Sequence, residues 1–134
     1  MKYLYSLFIV FFITLSFSCV YGQSIIGKWK FYDAQIDKTV VDLDKSDKNQ
    51  VEMFRTEATN TKNSLKNSVI EFKNDGSYIS EQGKTKYKKV GNKLLINSEQ
   101  KEETYIIIKL TTDILTITVP DMGLPILLLF KRVQ

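Results

Sequence analysis

The sequence predicts an all-β fold: an eight-stranded antiparallel up-and-down barrel with one short helix between strands one and two. Three observations carry this. Apolar and polar residues alternate with period two through short segments, as in strands with one wet face. After Asn67, turn and loop residues recur roughly every ten positions, at Asn74-Asp75-Gly76, Gly83, Gly91-Asn92, Ser98 to Glu102 and Thr111-Thr112-Asp113. Consecutive strands joined by such tight links make a meander, and eight of them can close on themselves and remove the edges an open sheet would expose. A two-sheet sandwich fits the same spacing and stays open as the alternative.

The chain has 134 residues, enough for one domain. Its first stretch differs from the rest. Lys2 is the only charge in 1–22, and Leu4 to Leu15 is almost wholly apolar. That run is shorter than the ~20 residues a membrane span needs and has the length of a signal-peptide core. Val20 and Gly22 are small residues at minus three and minus one of a cut before Gln23. The expected organisation is therefore a signal peptide over 1–22 and one folded domain over 23–134, exported to the periplasm or secreted. Ser18-Cys19 after an apolar run also resembles the lipobox of bacterial lipoproteins. Lipidation at Cys19, giving a membrane-anchored lipoprotein, is the alternative, and membrane association follows only in that case. A cut after Gly22 would remove the single cysteine, leaving no disulfide and no thiol nucleophile, which suits an oxidising compartment.

The first strand spans Ile25 to Asp33. Ile25, Trp29 and Phe31 are apolar and of one parity, against Lys28 and Lys30. Gln35 to Asn67 is polar and poor in aromatics. Within it, Ser46 is a candidate helix cap, and Val51, Phe54 and Ala58 recur at helical spacing, so a short amphipathic helix is expected over 47–60. Ser68 to Lys73 alternates about Ile70 and Phe72. Asn74-Asp75-Gly76 is a strong hairpin signal, because the turn needs positive φ. Ser77 to Gln82 returns with Tyr78 inward. Lys84 to Val90, Lys93 to Asn97, Glu103 to Leu110, Ile114 to Val119 and Ile126 to Val133 complete the eight strands. On Glu103 to Leu110, parity puts Ile106, Ile108 and Leu110 on the inner face, with Tyr105 and Ile107 outside.

Composition excludes much chemistry. There is no histidine, the commonest general base and metal ligand. No phosphate-cradling glycine loop or Gly-x-Ser-x-Gly elbow occurs. Asp42-Leu43-Asp44-Lys45-Ser46-Asp47 lacks the central glycine and distal glutamate of a calcium loop. Glu102-Glu103 reads as solvated loop charge. The expectation is a protein that is not an enzyme and needs no cofactor or metal. The formal net charge is +4, with lysines spread among acids. In the run Lys84 to Lys89, Tyr87 has the opposite parity to Lys86 and Lys88, whereas a nucleic-acid surface needs rings and charges together. The lysines read as a solvated outer face that discourages edge pairing, and no nucleic-acid partner is expected.

Gly27-Lys28-Trp29 resembles the Gly-x-Trp signature of lipocalins. The layout from Ile26 to Arg132 is similar to the lipocalin-like domains of exported proteins of some Gram-negative bacteria, which share this strand, a helical insertion, an aromatic-Lys-x-Asp-Gly hairpin and a last strand ending in Phe-Lys-Arg. Here these are Gly27 and Trp29, the 47–60 segment, Phe72 to Gly76, and Phe130-Lys131-Arg132. The resemblance implies a lipocalin-like barrel in which Gly27, Trp29 and Arg132 plug one end, the guanidinium packed over the indole. An eight-stranded barrel is wide enough to be filled by its own side chains or to hold one small ligand. The expected lining is Phe31, Ile70, Phe72, Tyr78, Tyr87, Ile106, Ile108, Leu128 and Phe130. Two functions follow. One is an extracytoplasmic barrel taking a small hydrophobic ligand opposite Trp29, with Tyr78 and Tyr87 as polar handles. The other is a non-catalytic envelope interaction or structural protein with a filled barrel.

Overall fold

The structure is a computed structural model describing residues 24–98, 100–120 and 123–134. The expected leader over 1–22, its cut before Gln23 and the lipidation candidate Cys19 lie outside the described residues.

Eight strands and one helix follow in order: β1 Gly27–Ile36, α1 Lys48–Ser64, β2 Val69–Phe72, β3 Ser77–Ser80, β4 Gly83–Val90, β5 Lys93–Asn97, β6 Glu102–Leu110, β7 Ile114–Thr118 and β8 Ile126–Arg132. Each strand pairs antiparallel with the next, and β8 returns to β1 to close a barrel. The sandwich alternative is thereby excluded. The up-and-down order gives the barrel two ends. The foot holds the start of β1, the end of β8 and the turns β2–β3, β4–β5 and β6–β7. The mouth holds the turn β3–β4, the loops β5–β6 and β7–β8, and the segment carrying α1.

Local chemistry accounts for the links. In the β2–β3 turn, Gly76 takes φ +85°, and the Asp75 carboxylate accepts from the Ser77 amide at 2.8 Å. These bonds to Ser77 hold the Asp75 carboxyl below the usual carboxylate range. Asp47, not Ser46, caps α1: its side chain accepts from the Asn49 amide at 2.7 Å. The Ser46 hydroxyl donates backwards to the Asp42 carbonyl at 2.6 Å. The helix also runs past the expected end near 60, through residues of poor propensity. Packing explains the extension: Phe54 is buried, Ala58 and Leu65 pack against the core or its edge, and Lys62 meets Asp33 of β1 at 3.1 Å. The Gln35 amide, together with Lys62, holds the Asp33 carboxyl below its ordinary range.

Two bulges reset which side chains face inward. On β1 the register with β8 shifts between Phe31 and Asp33. Trp29 and Phe31 point in, Tyr32 is extruded, and Ala34 is the next buried residue. Outside, Lys131 Nζ lies 4.6 Å from the centroid of the Tyr32 ring. On β6 the register with β7 shifts between Ile107 and Lys109. Tyr105 and Ile107 pack against the core, and beyond the bulge Leu110 does so too. The expected inward placement of Ile106 and Ile108 is therefore corrected. Ile108 is 52% exposed, and Ile106 shares the face opposite to Tyr105 and Ile107. Parity counted back from Leu110 across an inserted residue inverts the face.

Large buried side chains pack the foot and middle of the barrel. Trp29, Phe72, Leu94 and Leu115 are fully buried. Phe31 meets Phe130 edge-on at 5.7 Å, and Phe72 contacts Tyr78 at 5.2 Å and Tyr87 at 4.9 Å between centroids. No helix among the described residues is long and apolar enough to cross a membrane.

Candidate functional site

The mouth opens where two hairpins part. The β4–β5 ladder runs from Val90 opposite Lys93 to Tyr87 opposite Ile96 and stops there. Gly83 to Lys86 are registered against β3. Towards β5, the Thr85 hydroxyl reaches across to donate to the Asn97 carbonyl at 2.5 Å. The parted hairpins β3–β4 and β5–β6 enclose a cleft of about 600 Å³. Tyr78 and Ser80 of β3, Thr85 of β4, Ile96 of β5 and Glu103 and Tyr105 of β6 line it, with the exposed Lys84 and Lys101 at its rim. Ser98 braces the β5–β6 loop, donating its hydroxyl to the Lys101 carbonyl at 2.7 Å.

Strand register places the polar groups. Leu94 and Ile96 of β5 are buried, and they stand opposite Tyr105 and Glu103 of β6. Cross-strand partners share a face, so Glu103 and Tyr105 are turned inward. The Tyr105 hydroxyl donates to Glu103 Oε2 at 2.7 Å. Burial, and then this bond to Glu103, push the Tyr105 phenol well above its ordinary range. Burial raises Tyr78 to about 12, with the Glu103 charge adding to it and a Ser80 bond partly offsetting it. Both phenols are neutral at pH 7. The wall thus offers two rings, a carboxylate and a buried aliphatic floor: an arrangement for holding a small molecule.

The foot is a second, closed arrangement. Trp29 Nε1 donates to the Ile25 carbonyl at 2.8 Å. The Arg132 guanidinium lies 4.2 Å from the Trp29 ring centroid. It donates from Nη1 to the Ile26 carbonyl at 2.6 Å, from Nη2 to Ser24 at 2.8 Å and from Nε to Thr112 at 2.5 Å. Gly27 has φ +134°, and a Cβ there would land on Arg132 Nη1. The glycine two before the tryptophan is thus required by the cation that covers it.

The candidate lining residues are distributed unevenly. Phe31 and Phe130 are buried as one edge-on pair, Phe72 is buried against Tyr78 and Tyr87, Ile70 is buried in the same core, and Leu128 packs against it. Tyr87 serves the foot half, donating its hydroxyl to the Lys73 carbonyl at 2.8 Å; burial raises its phenol also. Ile106 and Ile108 face away. Of the nine candidates, Tyr78 alone lines the mouth cleft. Sequence reasoning missed Ile96, Glu103 and Tyr105. The signal was the pairing of β6 with the buried alternation Leu94 and Ile96, a non-local one. Asp42 accepts from the Asp44 amide at 3.1 Å and pairs with Lys45 at 3.3 Å. Among the described residues, no three His, Cys, Asp or Glu side chains gather as a metal-ligand set. Compared with protein-family models, with curated proteins and with solved structures, the chain finds no match.

Proposed function

We propose that this is an extracytoplasmic, non-catalytic lipocalin-like barrel that binds one small, partly apolar molecule at its mouth. The observation that carries the reading is the cleft of about 600 Å³ between the parted hairpins. That volume falls in the range of small-molecule sites, ~300–1,000 Å³. The filled foot supports a rigid cup beneath it rather than a through-channel, and Tyr78, Tyr105 and Ile96 supply an apolar floor with polar tips.

Thermal melting against a chemically diverse panel of small amphiphiles tests this. A compound at a hundredfold excess over its Kd adds about 2.7 kcal/mol of stability, a rise of several degrees in Tm. Ser80→Trp, which fills the cleft from its wall, is expected to abolish the rise. If no compound shifts Tm, the rival reading stands: a barrel filled by its side chains that works through its outer surface, or through the insertion carrying α1. Export is proposed on the leader-like 1–22 segment, and the intact mass of the cell-derived protein separates a cut before Gln23 from an acylated Cys19.

A further inference from the structure

We infer that the mouth cleft selects a ligand bearing an ammonium group, with Glu103 as its counter-charge. The inference rests on the reading of the mouth as a ligand site and adds the chemical class.

Glu103 is a half-buried carboxylate in the cleft wall, opposite buried Ile96 across the β5–β6 ladder. An ionised carboxylate offers about four acceptor sites on two oxygens. The Tyr105 hydroxyl satisfies one of them, at Oε2. That bond consumes the only proton the phenol has to give. Tyr105 therefore brings its ring to an incoming ligand, and no donor. The inner wall is consequently rich in acceptors and π surface, from Glu103, Tyr105 and Tyr78.

Glu103 also lacks a counter-ion of its own. Among the described residues, the ion pairs are Lys45 with Asp42 and Lys62 with Asp33. Lys84 and Lys101 border the same cleft, yet both are exposed at its rim, and neither closes on Glu103. A partly desolvated carboxylate beside two aromatic rings is what an organic ammonium needs: charge-assisted hydrogen bonds from N–H to oxygen and attraction to the ring faces. An anionic ligand would have to approach Glu103 against like charge. The rim lysines instead suit the outer, polar end of a ligand whose cationic end enters first.

Isothermal titration with a matched six-carbon series tests the class: n-hexylammonium, 1-hexanol and hexanoate at pH 7. Hexylammonium is expected to bind about tenfold tighter than hexanol or better, with hexanoate weakest. Glu103→Gln should lower hexylammonium affinity by about tenfold and hexanol affinity far less, with an unchanged urea midpoint reporting that the variant is folded. Tyr105→Phe keeps the carboxylate and should keep the ammonium preference. Independently of any variant, added salt should weaken hexylammonium binding and spare hexanol. Equal affinities across the series, a preference for hexanoate, or an E103Q variant that retains hexylammonium would overturn the inference. If hexylammonium fails while another compound gives a melting shift that Ser80→Trp abolishes, the ammonium class falls and the mouth site stands. If neither hexylammonium nor any panel compound binds, both fall.

Discussion

The most informative perturbation is Gly27→Ala, because its cost depends on a residue more than a hundred positions away. Two effects combine. An alanine must hold φ near +134°, which costs about 1–3 kcal/mol for an L side chain. Its Cβ also displaces Arg132 Nη1, breaking the bond to the Ile26 carbonyl and the stacking on Trp29. That stacking is worth about 0.5–2 kcal/mol and a bond from a charged donor about 1.5 kcal/mol. The single variant should lose about 3–6 kcal/mol. Arg132→Ala, which gives up three carbonyl contacts and the indole, should lose about 5–6 kcal/mol. In the double variant the displacement has nothing left to displace, so only the backbone strain adds to the arginine loss. The two losses should therefore sum to about 2–3 kcal/mol more than the double variant shows. Urea unfolding followed by fluorescence of Trp29, the single tryptophan, reads this directly. Additive losses, to within about 0.5 kcal/mol, would refute the claim that Gly27 is there to make room for Arg132.

Further outcomes follow from the same structure. Ile107→Ala should cost about 1–3 kcal/mol and Ile108→Ala less than about 0.5 kcal/mol, measured by denaturant midpoints; the reverse order would remove the β6 bulge from the account. Tyr78, at about 12, and Tyr105 have folded values above the unfolded value of 10.0. Their contribution is therefore intact below pH 10 and lost as pH rises from there through 12, so urea midpoints should be flat from neutral pH to about 9.5 and fall above 10, less steeply in Tyr78→Phe. Phe54→Ala removes the buried anchor of α1 and should cost about 2–4 kcal/mol locally. Hydrogen exchange should then quicken in Lys48–Ser64 while the β7 and β8 amides keep their protection.

What could be read from the residues alone divides along the line between local and distant causes. The Asn74-Asp75-Gly76 turn was legible because its geometry is decided within four residues. The closed meander was legible because short turns leave consecutive strands little choice of neighbour. Faces were legible only within uninterrupted strands. One inserted residue on β6 exchanged Ile106 and Ile108 for Tyr105 and Ile107, and nothing in Thr104 to Leu110 announces it, since every residue there suits a strand. The end of α1 was misplaced because packing of Ala58 and Leu65 and the Lys62 contact outweighed the weak propensity of Thr59 to Asn63. Glu103 stayed hidden for a related reason. A glutamate beside a charged loop reads as solvated until its register against Leu94 and Ile96 turns it inward. Tyr78 could be found, because it follows Gly76 by two on the strand that leaves a well-defined turn.

The Arg132 clasp has a kinetic consequence. Its guanidinium bridges to carbonyls 106 and 108 positions earlier in the chain, so the cover over Trp29 can form only when β8 is available to pair with β1. A growing or truncated polypeptide lacking that strand would carry a bare indole and two unpaired strand edges, the kind of surface that chaperones and aggregates both recognise. Closing so large a loop is entropically late, which makes the seam the expected rate-limiting event and the C-terminal strand the timer of the whole assembly.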